Sequence, residues 1–407
     1  MKYMGSKRKL LAGALSEVLE IELQGKKRFV DLFSGSGAVS HYVSSKYSIP
    51  VVAVDLQKFA TILADSFLSR TQKINGEALA EQWCHLARRA YNKSALRFTV
   101  EEWEMAKGKK LRKCDVMAAR AICRKAVGDG PSWNAYGGYY LSPLQVLHVD
   151  SLLKTLPEDN RSECLAALIV EVGKAVASPG HTAQPFQPTK KGLSYIQEAW
   201  GKDILENVCD RLKQIGDICS KVAGYTFCGD SQSYVDTCLE DGDLVFIDPP
   251  YSAVQYSRFY HVLETIARGG KPKVEGRGRY PVIAQRPQSK FSNSGTSKDA
   301  MRLLLQSLSR KEVSVIITFP HGECSNGLSS DWIKKEAGKC FVVGEIKVNN
   351  NFSTLGGNNN NRGARKKMTE VILILHKKEK PSIATHASIA LQKPSNRDTM
   401  SAVGEDQ

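Results

Sequence analysis

The sequence predicts an α/β fold in which a parallel sheet with helices on its faces is interrupted by a mainly helical inserted domain. Apolar segments of strand length alternate with helical patterns over residues 8–70, and this alternation returns at about residue 204. Between the two parts, residues 71–204 lose the alternation and have mainly helical patterns. At 407 residues, the chain is long enough for two or three folding units with apolar cores.

The first part of the sheet begins with leucines at helical spacing, followed by a short apolar run. The predicted elements are a helix over 8–23, a strand over 28–33, a Gly/Ser turn at 34–37, a helix over 38–47, a strand over 50–55 and a helix to about residue 70. Strand, turn, helix and strand in this order form a βαβ unit, in which the strands are parallel.

The second part of the sheet follows the inserted domain. The predicted elements are a helix over 203–221, strands over 225–228 and 243–247, a helix over 256–268, a basic Gly/Pro/Ser-rich loop over 269–298, a helix over 299–310, and strands over 313–319, 340–348 and 369–376. The domains predicted are therefore an α/β domain in two parts (1–70 and 205–379), an inserted helical domain (71–204) and a disordered tail (380–407).

Composition narrows the class of partner. The 57 Lys and Arg residues exceed the 42 Asp and Glu residues and give a net charge of +15, which favours a polyanionic partner over a small neutral substrate. No apolar run reaches the length of a membrane span, and the stretch 10–15 is too short for a secretion signal. Ten cysteines without a Cys-x-x-Cys pair are expected to be reduced thiols. We therefore expect a cytoplasmic protein with no membrane partner and no metal site.

The first motif with chemical content is Asp31-Leu-Phe-Ser-Gly-Ser-Gly37, where the first predicted strand ends. Glycines there let the backbone approach a ligand at the edge of the sheet. The dinucleotide-binding motif would place Gly or Ala where Ser40 stands, so binding of a pyrophosphate is not favoured. Asp55 ends the next strand, where a carboxylate can accept hydrogen bonds from ribose hydroxyls. Together the two acids favour a nucleoside-bearing ligand, whereas the Gly-x-Gly alone fits an ordinary tight turn equally well.

The second motif is Asp248-Pro-Pro-Tyr251, which follows the strand over 243–247. Two prolines cannot continue a strand, so the chain leaves the sheet at its carboxyl edge. This places Asp248 and Tyr251 in the crevice where α/β folds bind ligands. A turn with an incidental acid and aromatic is the alternative, and the Gly-x-Gly strand upstream argues against it.

These motifs, with the N-terminal Lys2-Tyr-Met-Gly-Ser-Lys7, resemble the Dam-type DNA adenine-N6 methyltransferases. The order of the motifs matches that family, and the resemblance runs along most of the chain. Segments 137–145 and 256–264 also look like segments of the family. The resemblance implies a Rossmann-like methyltransferase sheet, S-adenosylmethionine as methyl donor, and a target-recognition domain in the inserted region.

The resemblance also implies which residues bind the donor and which act on the target base. The residues implied for the donor are Tyr3, Lys7, Asp31, Ser34, Gly35, Gly37, Asp55, Asp230 and Asp248, and those implied for catalysis are Asp248, Pro249, Pro250 and Tyr251. Asp31 would lie near the donor's ammonium group and Asp55 would bind its ribose hydroxyls. Asp230 would contact its adenine amine.

The residue types of the second motif suit transfer to an exocyclic amine. Asp248 and the carbonyl of Pro249 can each accept one N–H of the adenine amino group, which localises the nitrogen lone pair and stabilises the developing charge. We expect the carboxylate to be ionised already, so that no base with a raised pKa is required. Tyr251 can stack on an extruded base. RNA adenine or DNA cytosine-N4 methylation remain alternatives, as does a catalytically silent DNA-binding protein on the same scaffold.

Basic clusters in the insertion and in the loop over 269–298 are candidate contacts to duplex DNA. The residues predicted to bind DNA are Lys109, Lys110, Arg112, Lys113, Arg277 and Arg279. A solvated charged face is the alternative for each cluster. Trp133, Asn134 and Tyr136 suit either DNA contact or anchoring of a loop. The chain carries no evident nuclease motif, so a cognate restriction endonuclease would be a separate protein.

Overall fold

The computed structural model describes residues 7–351 and 367–378, and the residues up to Lys377 within these ranges belong to one compact unit. The α-helices in the described part are α1 (Arg8–Leu11), α2 (Ala14–Glu22), α3 (Ala38–Lys46), α4 (Lys58–Leu68), α5 (Gly76–Asn92), α6 (Arg97–Ala106), α7 (Lys113–Lys125), α8 (Trp133–Tyr136), α9 (Pro143–Lys154), α10 (Arg161–Ala175), α11 (Lys190–Trp200), α12 (Ile204–Gly216), α13 (Ser231–Thr237), α14 (His261–Arg268), α15 (Ser297–Ser309) and α16 (Ser330–Ala337).

The strands in the described part form a large sheet and a short hairpin. They are β1 (Phe29–Asp31), β2 (Val51–Asp55), β3 (Tyr225–Cys228), β4 (Leu244–Ile247), β5 (Val274–Glu275), β6 (Tyr280–Pro281), β7 (Ser314–Pro320), β8 (Phe341–Asn351) and β9 (Lys367–Lys377). The sheet has seven strands in the order β3-β2-β1-β4-β7-β9-β8, and the hairpin pairs β5 with β6.

The first five strands of the sheet are parallel, whereas β9 pairs antiparallel with both β7 and β8. This mixed, mostly parallel sheet confirms the predicted α/β fold with a Rossmann-like sheet. The strand order reverses at β1, which has β2 on one side and β4 on the other. In such sheets the crevice outside the carboxyl ends of the strands at this point is where ligands bind.

Alternate residues of the central strands enter two apolar layers, as expected for parallel strands that are buried on both faces. Val30 and Val245 belong to the layer that contains Met301 and Leu304 of α15. Phe29 and Leu244 belong to the layer that contains Leu15 and Leu19 of α2 and Val39 and Val43 of α3. Helices on both faces therefore fix the position of the strand ends that form the site.

The residues between 71 and 204 are helical, as predicted, and include α5 to α11. Their starts follow the expected chemistry: the Ser142 hydroxyl caps α9 in a capping box with Gln145, and the Thr189 side chain caps α11. The insertion shares one core with α4 and α14, in which Trp83, Trp133 and Leu147 pack with Phe59 and Val262. The insertion is therefore packed directly against the helices that follow β2 and β4, whereas its predicted boundaries stay predictions.

Several predicted elements differ in detail. The helix predicted over 8–23 is interrupted at Gly13, and the helix predicted over 256–268 begins as a 3-10 turn, Tyr256–Arg258, before α14. Helices α13 and α16 have no counterpart among the predicted elements, because both are short. Most of 269–298 is loop, as predicted, with the β5–β6 hairpin inside it. The predicted tail 380–407 lies outside the described residues.

One pair of the ten cysteines meets in the fold. The Cys84 sulfur of α5 faces the Cys209 sulfur of α12, with Cα atoms 7.0 Å apart, whereas the other eight cysteines are free. This separation is longer than most disulfides span, so the reduced state of the thiols stays a prediction. The two residues are 125 positions apart in the sequence and meet because α5 packs along α12. Nothing in the local spacing of the cysteines could have indicated this contact.

Candidate active site

Acidic side chains from four neighbouring strands meet in one cleft at the carboxyl edge of the sheet. Asp31 and Asp55 are the last residues of β1 and β2, Asp230 and Asp248 follow β3 and β4, and all four line the cleft. The parallel pairing of β1 with β2 and β4 brings their ends together. The structure thus assembles acids that lie far apart in the sequence.

The turn between β1 and α3 is built on glycine. Gly35 and Gly37 have φ angles of 51° and 73°, in the left-handed region that other residues rarely adopt. A Cβ atom at Gly37 would also lie 3.3 Å from the Phe67 ring. The turn directs the N–H of Gly35 toward Asp55, whose Oδ2 accepts it at 2.8 Å. Gly37 itself stands behind the lining of the cleft, at the N-terminus of α3.

Asp31 is the most deeply buried acid of the cleft. The Ser40 hydroxyl donates to its Oδ2 at 2.7 Å, and its other oxygen, Oδ1, is buried without a hydrogen-bond partner in the described part of the chain. Burial raises the pKa of Asp31 to about 7, although the hydrogen bond from Ser40 opposes the shift. A cation placed beside Oδ1 would stabilise the ionised form.

Asp55 is held by backbone N–H groups. Its Oδ1 accepts from the N–H of Gln57 at 2.8 Å, in addition to the Gly35 contact at Oδ2. Burial nevertheless raises the pKa of Asp55 to about 6, against the lowering effect of these hydrogen bonds. Asp230 caps α13, because its Oδ1 accepts from the N–H of Gln232 at 3.0 Å.

Buried polar atoms without partners among the described residues cluster around this cleft. Besides Asp31 Oδ1, they are Ser34 Oγ, Gln57 Oε1 and Ser257 Oγ, and all four residues line the cleft. Buried polar groups in proteins are normally hydrogen-bonded. A polar ligand that entered the cleft would supply the partners that the described residues do not, so the lining fits a nucleoside with a charged amino-acid portion.

Asp248 is the cleft-facing end of a chain of three charges, and the other two, Lys7 and Glu370, are buried. The Lys7 ammonium lies 2.9 Å from Asp248 Oδ1 and also contacts the Glu370 carboxylate of β9. The Thr318 hydroxyl of β7 donates to the same Oδ1 at 3.1 Å. Oδ2 of Asp248 takes part in none of these contacts. Two carboxylates around one ammonium leave this chain with a net negative charge.

The charge chain sets the protonation of Asp248. Burial and the neighbouring Glu370 raise the pKa of Asp248 to about 6, whereas Lys7 opposes both effects. The pKa of Asp248 is therefore above the usual range for an aspartate, because the carboxylate is desolvated beside a second acid. Burial lowers the pKa of Lys7, but its two acidic partners outweigh burial and the net shift is upward. At neutral pH, the pKa of about 6 still leaves Asp248 mostly ionised.

The Asp-Pro-Pro-Tyr loop is fixed by a buried asparagine. Asn326 Nδ2 donates to the carbonyl of Pro250 at 2.7 Å and to the carbonyl of Phe291 at 3.1 Å. The Phe291 ring meets Phe33 edge to face, with ring centroids 5.1 Å apart. Tyr251 is half-buried on the lining of the cleft, and burial raises the pKa of its phenol. These contacts hold the loop in place, and the half-buried tyrosine side chain lines the cleft.

Most of the predicted site residues meet in this cleft. Its lining includes Lys7, Asp31, Ser34, Gly35, Asp55, Asp230, Asp248, Pro249, Pro250 and Tyr251. Tyr3 lies outside the described residues. Sequence patterns do not reveal Gln57, Thr318 and Glu370, which carry no motif and reach the site only through the fold. Tyr256 also lines the cleft, and its place in the family-like segment 256–264 was the available signal.

The residues predicted to bind DNA have different environments. Lys109, Lys110, Lys113 and Arg277 are exposed. The Arg112 guanidinium instead pairs with Asp115 at 2.8 Å in the cap of α7, and Arg279 donates to the carbonyls of Ala135 and Asn134. Contact of any of the six with DNA stays a prediction. Trp133 and Tyr136 are fully buried and anchor the loop, as one of the two interpretations expected.

A family model described as D12 class N6 adenine-specific DNA methyltransferase matches residues 3–117 and 165–319. The chain belongs to this family. The match confirms the resemblance and leaves out residues 118–164, which lie inside the insertion. Within the described ranges, no group of His, Cys, Asp and Glu side chains is arranged to hold a metal ion, and no helix has the length and apolarity of a membrane span.

Two curated proteins are similar to parts of the chain. The modification methylase LlaI of Lactococcus lactis subsp. lactis is 24% identical over 293 residues, which cover 68% of this chain and 40% of that protein. The type II methyltransferase M.FokI of Planomicrobium okeanokoites is 34% identical over 104 residues, which cover 25% of this chain and 15% of that protein. The chain thus spans less than half the length of each relative.

Proposed function

We propose that this chain is a site-specific DNA methyltransferase that methylates N6 of adenine in duplex DNA, with S-adenosylmethionine as donor. The observation that carries the proposal is that Asp248 lines the same cleft as Asp31 and Asp55. An acid suited to the target amine and acids suited to the donor therefore face one space, as direct in-line transfer requires. Membership of the D12 class supports the choice of adenine.

The cleft residues have defined tasks toward the donor in this proposal. When bound, S-adenosylmethionine supplies an electrophilic methyl group on a sulfonium. Asp31 Oδ1, which is buried without a partner in the described part of the chain, would accept from the donor's ammonium group. Asp55 would accept from the ribose hydroxyls, and Asp230, at the next strand end, from the adenine amine. Ser34 and Gln57 offer further polar atoms that lack partners among the described residues.

Toward the target base, Asp248 and the carbonyl of Pro249 would each accept one N–H of the adenine amino group. Because Lys7 and Thr318 both contact Oδ1 of Asp248, we assign the base contact to Oδ2. The Lys7–Glu370 pair would hold the carboxylate in one orientation. The ionised carboxylate favours the charge that develops on the nitrogen during transfer, and no covalent enzyme intermediate is needed.

A base inside a duplex cannot reach this cleft, so the proposal includes extrusion of the target nucleotide. Tyr251 presents a ring face in the loop held by Asn326, and the extruded base would stack on it. The insertion, packed against α14, would contact the bases of the target sequence. Exchange of residues 71–204 for the equivalent part of a relative should then change the methylated sequence.

The biological setting is also part of the proposal. The printed names of the two relatives, a modification methylase and a type II methyltransferase, support a role in DNA modification. The partner in such a system would be a separate restriction endonuclease with the same target sequence. A DNA substrate of the host would place the activity in the cytoplasm.

The proposal is tested with the purified chain, methyl-labelled S-adenosylmethionine and three acceptors: unmethylated duplex DNA, single-stranded DNA and RNA. Mass spectrometry of the digested nucleosides identifies the product. We expect N6-methyladenine in duplex DNA. Label in N4-methylcytosine, or in RNA alone, would overturn the assignment of the substrate. Absence of product with intact donor binding would favour a silent DNA-binding protein.

A further inference from the structure

Four arginines stack in pairs on two tyrosine rings at the junction of the insertion, the basic loop and the segment after Asp-Pro-Pro-Tyr. We call the six residues Arg120, Tyr139, Arg258, Arg279, Tyr280 and Arg286 the arginine–tyrosine patch. The guanidinium carbons of Arg120 and Arg279 lie 4.5 and 4.3 Å from the centroid of Tyr139. Those of Arg258 and Arg286 lie 4.7 and 5.7 Å from the centroid of Tyr280.

The patch carries positive charge that the described residues do not neutralise. None of its four guanidinium groups forms an ion pair with an acid in the described ranges. Glu275 of β5 acts on Arg286 only at a distance. The nearby His261 ring contacts Tyr280, and burial lowers its pKa to about 3, so it adds no charge at neutral pH. Like charges held close together are unfavourable unless an anion joins them.

The arginines affect one another in the way this arrangement predicts. The pKa of Arg120 is lowered by burial and then by the neighbouring Arg279. The pKa of Arg286 is lowered by burial and then by Arg258. In addition, Arg120 Nη2 and Arg286 Nε are buried without hydrogen-bond partners in the described part of the molecule. Arg258 is exposed and the other three arginines are half-buried, so each side chain also has accessible surface, and a planar guanidinium group suits the oxygens of a phosphate diester.

Two arginines of the patch are sequence neighbours of residues that line the cleft. Arg258 directly follows Tyr256 and Ser257, and Arg286 directly precedes Pro287; all three of these neighbours line the cleft. Arg120 and Tyr139 belong to the insertion. The patch therefore extends from the rim of the cleft to the domain that we assign to target recognition, and its groups come from three separate segments of the chain.

We propose that the arginine–tyrosine patch binds the phosphodiester backbone of duplex DNA beside the extruded nucleotide. Stacking on the tyrosines fixes the planes of the guanidinium groups, so that their N–H edges face the phosphates without further loss of side-chain freedom. Extrusion of a base requires the backbone to be held on either side. The inference rests on the proposed function, because it places the patch beside the extruded base. The contact itself is with the DNA backbone.

The test compares DNA binding by two double variants of the full chain. Arg258→Gln/Arg286→Gln removes two charges from the patch. Arg310→Gln/Lys311→Gln removes two charges between α15 and β7, at the opposite edge of the sheet, and serves as the matched control. Binding to a mixed-sequence duplex is measured by fluorescence anisotropy between about 50 and 200 mM salt. Thermal melting establishes that each variant is folded.

We expect the patch variant to bind on the order of tenfold more weakly at about 100 mM salt, and its slope of log K against log salt to fall by about 0.9 for each phosphate that it no longer neutralises. The control should keep the wild-type slope. Arg258→Lys/Arg286→Lys, which retains the charges, should keep most of the slope. A patch variant that binds like the control, or a lysine variant with a slope as low as the glutamine variant, would overturn the inference.

The outcome is separable from that of the proposed function. If the wild type methylates DNA while the patch variant binds like the control, the patch inference fails alone. If the wild type methylates nothing but the patch variant binds more weakly and with less salt dependence, the proposed function fails and the patch remains a DNA contact.

Discussion

At the scale of single residues, the account depends most on Asp248. The variant Asp248→Ala removes the acceptor for the target amine, so we expect methyl transfer to fall by at least roughly 10²–10³-fold. Binding of S-adenosylmethionine, measured by calorimetry, should be largely retained, because Asp31 and Asp55 are unchanged. The matched control is Asp217→Ala, which changes an exposed acid that does not line the cleft. This variant should transfer methyl groups at the wild-type rate. Full turnover by Asp248→Ala would contradict the role assigned to Asp248 as acceptor for the target amine.

The charge chain Glu370–Lys7–Asp248 predicts how activity depends on pH. Asp248 must be ionised to accept from the amine, and its pKa is about 6, so kcat should rise as the pH rises from about 5 to 7. Glu370 raises that pKa, so Glu370→Gln should move this rise to lower pH. The groups that interact with Asp248 besides Glu370 are Lys7, Thr318, Asp31, Tyr251 and Tyr256.

The control for this shift removes another ion pair of the same strand. Glu312 contacts Lys377 at the far end of β9 from Glu370, so Glu312→Gln also removes one ion pair of β9. It should leave the pH profile unchanged. A Glu370→Gln profile with the wild-type midpoint would show that Glu370 only stabilises the fold.

Asp31 predicts that donor binding is linked to protons. Its pKa is raised to about 7, so near neutral pH the free protein holds it partly protonated. A bound ammonium group favours the carboxylate and lowers this pKa, so affinity should increase as the pH rises through about 7 and binding should release a proton. Calorimetry in phosphate and Tris buffers, which differ in ionisation enthalpy, measures that proton. The variant Asp31→Asn should bind S-adenosylmethionine more weakly and release less than the wild type's share of a proton. Equal proton release by the two proteins would contradict the contact between Asp31 and the donor's ammonium group.

At the scale of elements, the turn between β1 and α3 is the most sensitive to sequence. Gly37→Ala places a Cβ at a φ of 73° and 3.3 Å from the Phe67 ring, so we expect a loss of stability of about 1–2 kcal/mol. The strain should also shift the start of α3 and weaken donor binding. If about 1.4 kcal/mol of it acts on the bound state, the affinity falls on the order of tenfold. Thermal melting with and without S-adenosylmethionine measures both effects.

The control for the turn is Gly108→Ala in the exposed loop between α6 and α7. This glycine has no positive φ, and its Cβ would meet nothing closer than 3.5 Å. Melting temperature and donor binding should match the wild type. If Gly37→Ala also matched the wild type, the strained turn would not matter for the site.

Elements also show why the sequence predicted some features and not others. The strands β1, β2 and β4 and their terminal acids were predictable, because a buried parallel strand is a local apolar run and an acid at its end is local too. Two contacts of the charge chain were not predictable from the sequence: Glu370 with Lys7, 363 residues away, and Thr318 with Asp248. They form only because the order of strands in the sheet places β7 beside β4 and β9 beside β7. The same reason applies to the contact between Cys84 of α5 and Cys209 of α12.

Basic residues show a second limit. Arg112 and Arg279 look like free cations in the sequence, yet one caps α7 and the other fastens the hairpin to the insertion. Arg120 and Arg258 were not predicted to bind DNA, because what distinguishes them is the tyrosine ring on which each one stacks. Charge can be counted from a sequence, whereas pairing of charges depends on the fold.

At the scale of the whole molecule, the sheet, the insertion and the cleft belong to one compact unit, in which Asp248 shares one cleft with Asp31 and Asp55. The central claim is that this arrangement methylates adenine at a defined DNA sequence. It is tested most directly by long-read modification sequencing of DNA from cells that express the wild type, beside cells that express Asp248→Ala. The account predicts one sequence motif that carries N6-methyladenine with the wild type and not with the variant. DNA without any new N6-methyladenine, or the same mark with Asp248→Ala, would contradict it.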